Sequence, residues 1–165
     1  MVWFQGWNDA VGKGNPKYTE QLAQLIHDVR KDLNAPNLPI VIGELGQAGA
    51  NPKKKAATFR AQQEAVAKLA EFQGTVRYVK TGVHVDPRLP ELFAIWRKCQ
   101  GQARKAKREN LGKPVEEAAW APWKKHEAEW KSIAGDRGNH YFGSGRTFFL
   151  MGHAFGRAMI DLTTK

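Results

Sequence analysis

Apolar residues recur along the first half of the chain in two alternating rhythms. The opening VWFQG is a short apolar run that stops at a glycine, which predicts a buried strand ending in a tight turn. After a Gly/Asn/Pro loop, Tyr18, Leu22, Leu25, Ile26, Val29 and Leu33 recur at spacings of three and four. That spacing predicts an amphipathic helix, stopped by Asn34 and Pro36. LPIVIGELG, bounded by Pro39 and Gly43, is short, branched and apolar and predicts a second strand. A loop and a helix carrying Phe59, Val66 and Leu69 follow, and TVRYVKT predicts the third strand.

Strands separated by long helical crossovers form a parallel sheet with helices on its faces, so the fold class is α/β. From Pro90 the chain turns helical, with Leu92, Trp96, Cys99 and Ala103 on one face and a Lys/Arg run on the other, to an end near Gly112 and Pro114. A Trp-rich stretch (Trp120, Trp123, Trp130) interrupted by Pro122 leads to the loop AGDRGNHYFGSG. The last helix is expected to bury Phe148, Met151, Phe155, Met159 and Leu162, with Gly152 and Gly156 admitting a close neighbour. Parallel sheets need cover on both faces and usually hold more strands than three. One or two strands are therefore expected upstream of Met1, making residues 1–165 a single domain incomplete at its N-terminus, with 97–131 a basic, Trp-rich helical insertion.

At 42% hydrophobic residues the chain can build a core. No run approaches the ~20 apolar residues of a membrane span, and MVWFQGWND has no signal-peptide pattern, so neither membrane nor leader is expected within the chain. Cys99 alone permits no internal disulfide and no multi-cysteine metal site. The net charge of +10 raises a polyanion partner, but it concentrates in Lys53–Lys55 and in RKCQGQARKAKR, residues 97–108. Charge confined to a loop and one helix face is usually a solvated face, and no specific nucleic-acid site is expected.

Two segments have the composition of a reactive site. QGWND, residues 5–9, follows the first strand, and open parallel sheets bind ligands beyond the carboxyl ends of their strands. Gly6 permits the turn, and Asn8 could donate to an oxyanion; equally, Asn8 and Asp9 could satisfy turn backbone, the reading that pattern alone favours. DRGNHYFGSG, residues 136–145, places His140 in a polar loop before the last helix, where it could serve as a general base or as a hydrogen-bonded structural residue. His27, His84, His126 and His153 have no zinc-site spacing, and neither metal nor cofactor is implied.

Together these segments resemble the SGNH hydrolases, and within them the sialate O-acetylesterase-like carbohydrate esterases. VWFQGWND resembles the G-x-N-D block at the strand end, and GNHYFGSGRTFFLMGHAFGRAM resembles the closing block that contains the catalytic histidine. PIVIGELGQAG, FRAQQEAVA and TVRYVKT resemble the family's middle strands and helix. The resemblance implies a three-layer α/β/α sandwich of SGNH or flavodoxin-like type, exported from the cell, that removes O-acetyl or similar acyl groups from saccharides through a serine nucleophile. It implies Asn8 as oxyanion donor, Gly6 as the turn glycine and His140 as general base.

This sequence departs from the family at three places. Trp7 and Asn8 stand where an acidic residue and serine are common in these carbohydrate esterases, and Arg137 stands three residues before His140 where SGNH hydrolases have aspartate. Asp136 is the nearest acid to orient the imidazole. The family's nucleophile block lies upstream of G-x-N-D, and the two serines here, Ser132 and Ser144, lack the context of a nucleophile. The expectation is therefore an esterase whose nucleophile lies outside these residues; the alternative is a non-catalytic module binding saccharide or polyanion, with the tryptophans stacking on sugar rings or packed as core.

Overall fold

The computed structural model describes residues 1–12, 14–135 and 140–164. The chain divides into two compact units, Met1–His84 with Phe149–Lys165, and Val85–Phe148.

In the first unit, strands β1 (Val2–Trp3), β2 (Ile40–Gly43) and β3 (Val76–Val79) form a parallel sheet in the order β1-β2-β3. Val41 pairs with Val2 on one side and Arg77 on the other, which fixes the register. Side chains alternate between the faces of a strand, so consecutive residues of β2 enter different layers. Ile40 and Ile42 pack with helices α2 (Tyr18–Asp32) and α3 (Lys54–Ala67), contacting Tyr18, Leu22, Ile26, Phe59 and Val66. Val41 packs on the opposite face with Ala158 and Leu162 of α8 (Gly145–Thr163). A β2 buried on both faces explains its unbroken apolar run, and each such side chain contributes about 1.5–3 kcal/mol by leaving water. The fold is α/β, a parallel sheet with helices on its faces, as the alternating rhythms predict.

Helix α2 stops where expected, for a specific reason. Asn34 adopts φ 49°, its N–H bonds to Lys31 O at 3.0 Å, and the Ala35 N–H reaches back to Arg30 O at 2.9 Å. This is a Schellman closure with asparagine in the left-handed position. The last helix keeps its expected face except at its first turn. Met151 and Leu162 are buried together with Ala158, and Phe155 and Met159 pack part-buried against the same cluster, whereas Phe148 is 43% exposed. Gly152 and Gly156 lie on the exposed side, and a Cβ at either would meet nothing within 4 Å, so neither admits a close neighbour among the described residues. They fall about 100° around the helix from Met151 and Phe155, which turns them away from the sheet.

The second unit is helical: α4 (Arg88–Arg108), α5 (Lys113–Ala118), α6 (Ala121–Lys124) and α7 (Glu127–Ile133). Helix α4 ends at Arg108 rather than near Gly112, because Asn110 at φ 52° makes the same closure, with Leu111 N–H bonded to Ala106 O at 3.0 Å. Two of the three tryptophans of the Trp-rich stretch are core, and Trp120 is half-buried beside Trp96. Trp123 and Trp130 are 6% and 4% exposed and meet edge-to-face at 5.7 Å. Phe93 stacks on Trp96 at 5.6 Å and also meets Trp130 and Phe142. The lysines and arginines of residues 97–108 lie exposed along α4.

Candidate functional site

The strand-end turn after β1 is built from buried polar groups. Gly6 takes φ 143° and ψ 4°, a conformation open to glycine, and a Cβ there would sit 2.6 Å from the Phe59 ring. Directly before it, the Gln5 carbonyl accepts hydrogen bonds from the Tyr18 hydroxyl at 3.1 Å and from Gln63 Nε2 at 3.2 Å. Tyr18 in turn accepts from Trp3 Nε1 at 3.3 Å, and burial raises its phenol pKa above the ordinary value. After Gly6 the chain enters the single-turn helix α1 (Trp7–Ala10), which carries Asn8. Asn8 is exposed, and its carboxamide has no hydrogen-bond partner among the described residues. Asp9 differs: it accepts from Asn15 Nδ2 at 2.8 Å and Gln5 Nε2 at 3.4 Å, and so ties the following loop to the turn.

The end of β2 is fastened by a second buried group of polar residues that periodicity did not single out. Glu44 and Arg60 pair at 3.0 Å with both side chains more than nine-tenths buried. Tyr78 donates its hydroxyl to Glu44 Oε2 at 2.9 Å, and the Gly82 N–H donates to Oε1 at 3.0 Å. Arg60 also donates to the carbonyls of Leu45 and Gly49, at 3.0 and 2.9 Å. Burial, reinforced by the neighbouring Glu44 carboxylate, pushes the Tyr78 hydroxyl pKa well up. Every carboxylate oxygen of Glu44 is thus engaged, which makes it a fastener of loop 44–49 to the end of β3 rather than a reactive acid.

His140 belongs to the second unit and is exposed. It opens a left-handed turn in which His140, Tyr141 and Phe142 have φ of 45°, 56° and 59°, continued by Gly143 at 63°. Each non-glycine residue held there costs of order 1–2 kcal/mol. Burial of Tyr141 and Phe142 offsets that cost: Phe142 contacts Phe93 and Trp130, and Tyr141 meets Phe148 edge-to-face at 5.9 Å. The Gly135 N–H bonds to Phe142 O at 2.9 Å and closes the base of the loop. Asp136 and Arg137 lie outside the described residues. Gly6 and Asn8 therefore share one turn of the first unit, and His140 stands on an aromatic-anchored turn of the second.

Both serine hydroxyls have local partners. Ser144 is buried at the start of α8 and accepts from the Thr147 N–H at 3.5 Å, the position of a helix N-cap. Ser132 donates to Glu129 O at 2.7 Å within α7.

A family model described as carbohydrate esterase, sialic acid-specific acetylesterase, matches residues 1–84. The chain belongs to this carbohydrate esterase family. The matched stretch ends where the second unit begins, and contains the sheet, Gly6, Asn8, and the Glu44 and Gln63 fasteners. Searches of curated proteins and of solved structures each found no match.

Proposed function

We propose that the protein is a serine-type esterase that removes O-acetyl or similar acyl groups from saccharides. The observation that carries this reading is the esterase-family match over the turn that presents Asn8. An exposed carboxamide without a partner among the described residues can give its N–H to the oxygen of an ester carbonyl as negative charge develops there. His140 takes the proton of the attacking hydroxyl and returns it to the sugar leaving group, and Asp136 orients the imidazole. The local bonding of Ser132 and Ser144 supports a nucleophile outside this sequence. The packing of Trp123 and Trp130 within the second unit takes two of the three tryptophans away from sugar stacking and favours the esterase reading over a non-catalytic binding module.

The test is kinetic. Residues 1–165 alone should release nitrophenol from p-nitrophenyl acetate without a stoichiometric burst, since no covalent acyl-enzyme forms. In the protein expressed from the full reading frame, Asn8→Ala should lower kcat on an acetylated saccharide by roughly 10²- to 10³-fold with little change in KM. His140→Ala should be at least as damaging. A burst from the chain alone that disappears in Ser144→Ala would overturn the nucleophile assignment, and near wild-type kcat in His140→Ala would overturn the mechanism.

A further inference from the structure

Gln63 is fully buried in the middle of α3, where a polar side chain must be held by partners or cost several kcal/mol. Its carboxamide is satisfied at both ends. Nε2 donates to Gln5 O at 3.2 Å and to Gly43 O at 3.3 Å, and Oε1 accepts from the Leu45 N–H at 2.8 Å. One side chain therefore bridges the carboxyl ends of β1 and β2 at the level where the strands stop. A hydrophobic residue of the same size would fill the space but leave the Leu45 N–H and the carbonyls of Gln5 and Gly43 without these bonds.

The bond to Gln5 has a directional consequence. The peptide is trans, so its carbonyl and the following N–H point to opposite sides. With the Gln5 carbonyl drawn inward by Gln63 and Tyr18, the Gly6 N–H is turned away from them, and the chain leaves Gly6 along the direction that becomes α1. Asn8 is two residues on. The glycine at 6 allows several peptide orientations, and the pair of inward donors selects one of them.

We propose that Gln63, with Tyr18 beside it, is a positioning residue: it fixes the Gln5–Gly6 peptide and thereby aims Asn8 at the reacting carbonyl. The proposal rests on the esterase reading of Asn8. Two variants test it in different ways. Gln63→Glu keeps the shape and the acceptor for Leu45 but replaces the donor that Gln5 and Gly43 use; Tyr18→Phe removes the other donor to Gln5, together with the acceptor of Trp3 Nε1, and leaves Gly43 and Leu45 untouched.

The first readout is the amide NMR spectrum of the chain. In both folded variants the Gly6, Trp7 and Asn8 resonances should move, while those of the second unit stay in place. A fastening role without positioning lowers the melting temperature and leaves these resonances where they were, and that result in either folded variant overturns the proposal. Should Gln63→Glu fail to fold, Tyr18→Phe decides by the same criterion.

The second readout is kinetic, on the full reading frame with an acetylated saccharide. Both variants should lower kcat roughly 10- to 100-fold with KM unchanged, the loss expected for a misplacement of about an ångström. Unchanged kcat in these variants, together with a large loss in Asn8→Ala, would overturn the positioning role. Unchanged kcat in Asn8→Ala is instead a failure of the esterase reading and takes the aiming of Asn8 with it, while the resonances of Gly6 to Asn8 still decide whether Gln63 and Tyr18 fix the turn.

Discussion

Replacing Gly6 by alanine perturbs the strand-end turn in two ways that can be separated. The backbone sits at φ 143°, where an L side chain is strained, at a cost of about 1–3 kcal/mol. The added methyl would also lie 2.6 Å from two carbons of the Phe59 ring, which is buried against Tyr18 with ring centroids 4.6 Å apart. Overpacking of this kind costs roughly 1–3 kcal/mol, because Phe59 can retreat only by displacing Tyr18 and the core beneath it. The expected loss is thus about 2–6 kcal/mol, a large share of the roughly 5–15 kcal/mol that holds a domain together. Urea denaturation followed by circular dichroism measures it from the shift in midpoint. Phe59→Leu shortens the ring that clashes without changing φ, so in the double variant the packing part should be recovered, giving a favourable coupling of about 0.5–3 kcal/mol. A Gly6→Ala protein within about 0.5 kcal/mol of the wild type would refute the reasoning. A large loss without coupling to Phe59 would assign the whole effect to the backbone.

Glu44→Gln strands the buried Arg60 cation and should cost about 3–5 kcal/mol, whereas Glu44→Leu combined with Arg60→Met should cost less than the single change; thermal and urea melts compare them. In the second unit, Arg88 grips Glu129 through bonds of 2.6 and 3.0 Å and holds its carboxyl below the ordinary value of 4.5. A depressed acid stabilises the fold above its unfolded pKa and loses that contribution as pH falls through its folded one. Tryptophan fluorescence should therefore report acid destabilisation setting in below pH 4.5, with a shallower acid limb in Glu129→Gln; equal limbs would contradict the assignment. The exposed basic face of α4 should bind oligonucleotides weakly and without sequence preference, and lose them between ~50 and ~200 mM salt; salt-resistant, sequence-dependent retention in a gel shift would show a nucleic-acid site.

The sheet was legible because its signals are local. β2 is buried on both faces, so its apolar run is unbroken, and α2 buries its stripe from Tyr18 to Ile26, while Leu33, beside the closing asparagine, is exposed. The second unit was harder to read. Its aromatic residues are the same types that line a sugar site, and composition does not tell an indole stacked on a neighbour from one facing solvent. Phe148 shows the same limit at shorter range: it keeps helical spacing with Met151 and Phe155, yet stands at the first turn of α8 and is half exposed.

The site divides along a similar line. Gly6 and Asn8 could be found because a glycine after an apolar run marks a turn, and because the family motif names the asparagine. Gln63, Arg60 and Tyr18 could not be found by that route, since each acts through partners distant in sequence: Gln63 reaches back 58 residues to Gln5. A signal was nonetheless present in α3. Phe59, Arg60, Gln63 and Val66 all face the core, so an arginine and a glutamine occupy a stripe that burial reserves for apolar residues. Polar residues in such a stripe require fixed partners, and the backbone groups needing partners are those where parallel strands end and the ladder stops. Carboxyl ends of strands are also where an α/β sheet presents its ligand site. An arginine or glutamine on the buried face of a crossover helix thus marks the fastened strand ends on which the exposed Asn8 is carried.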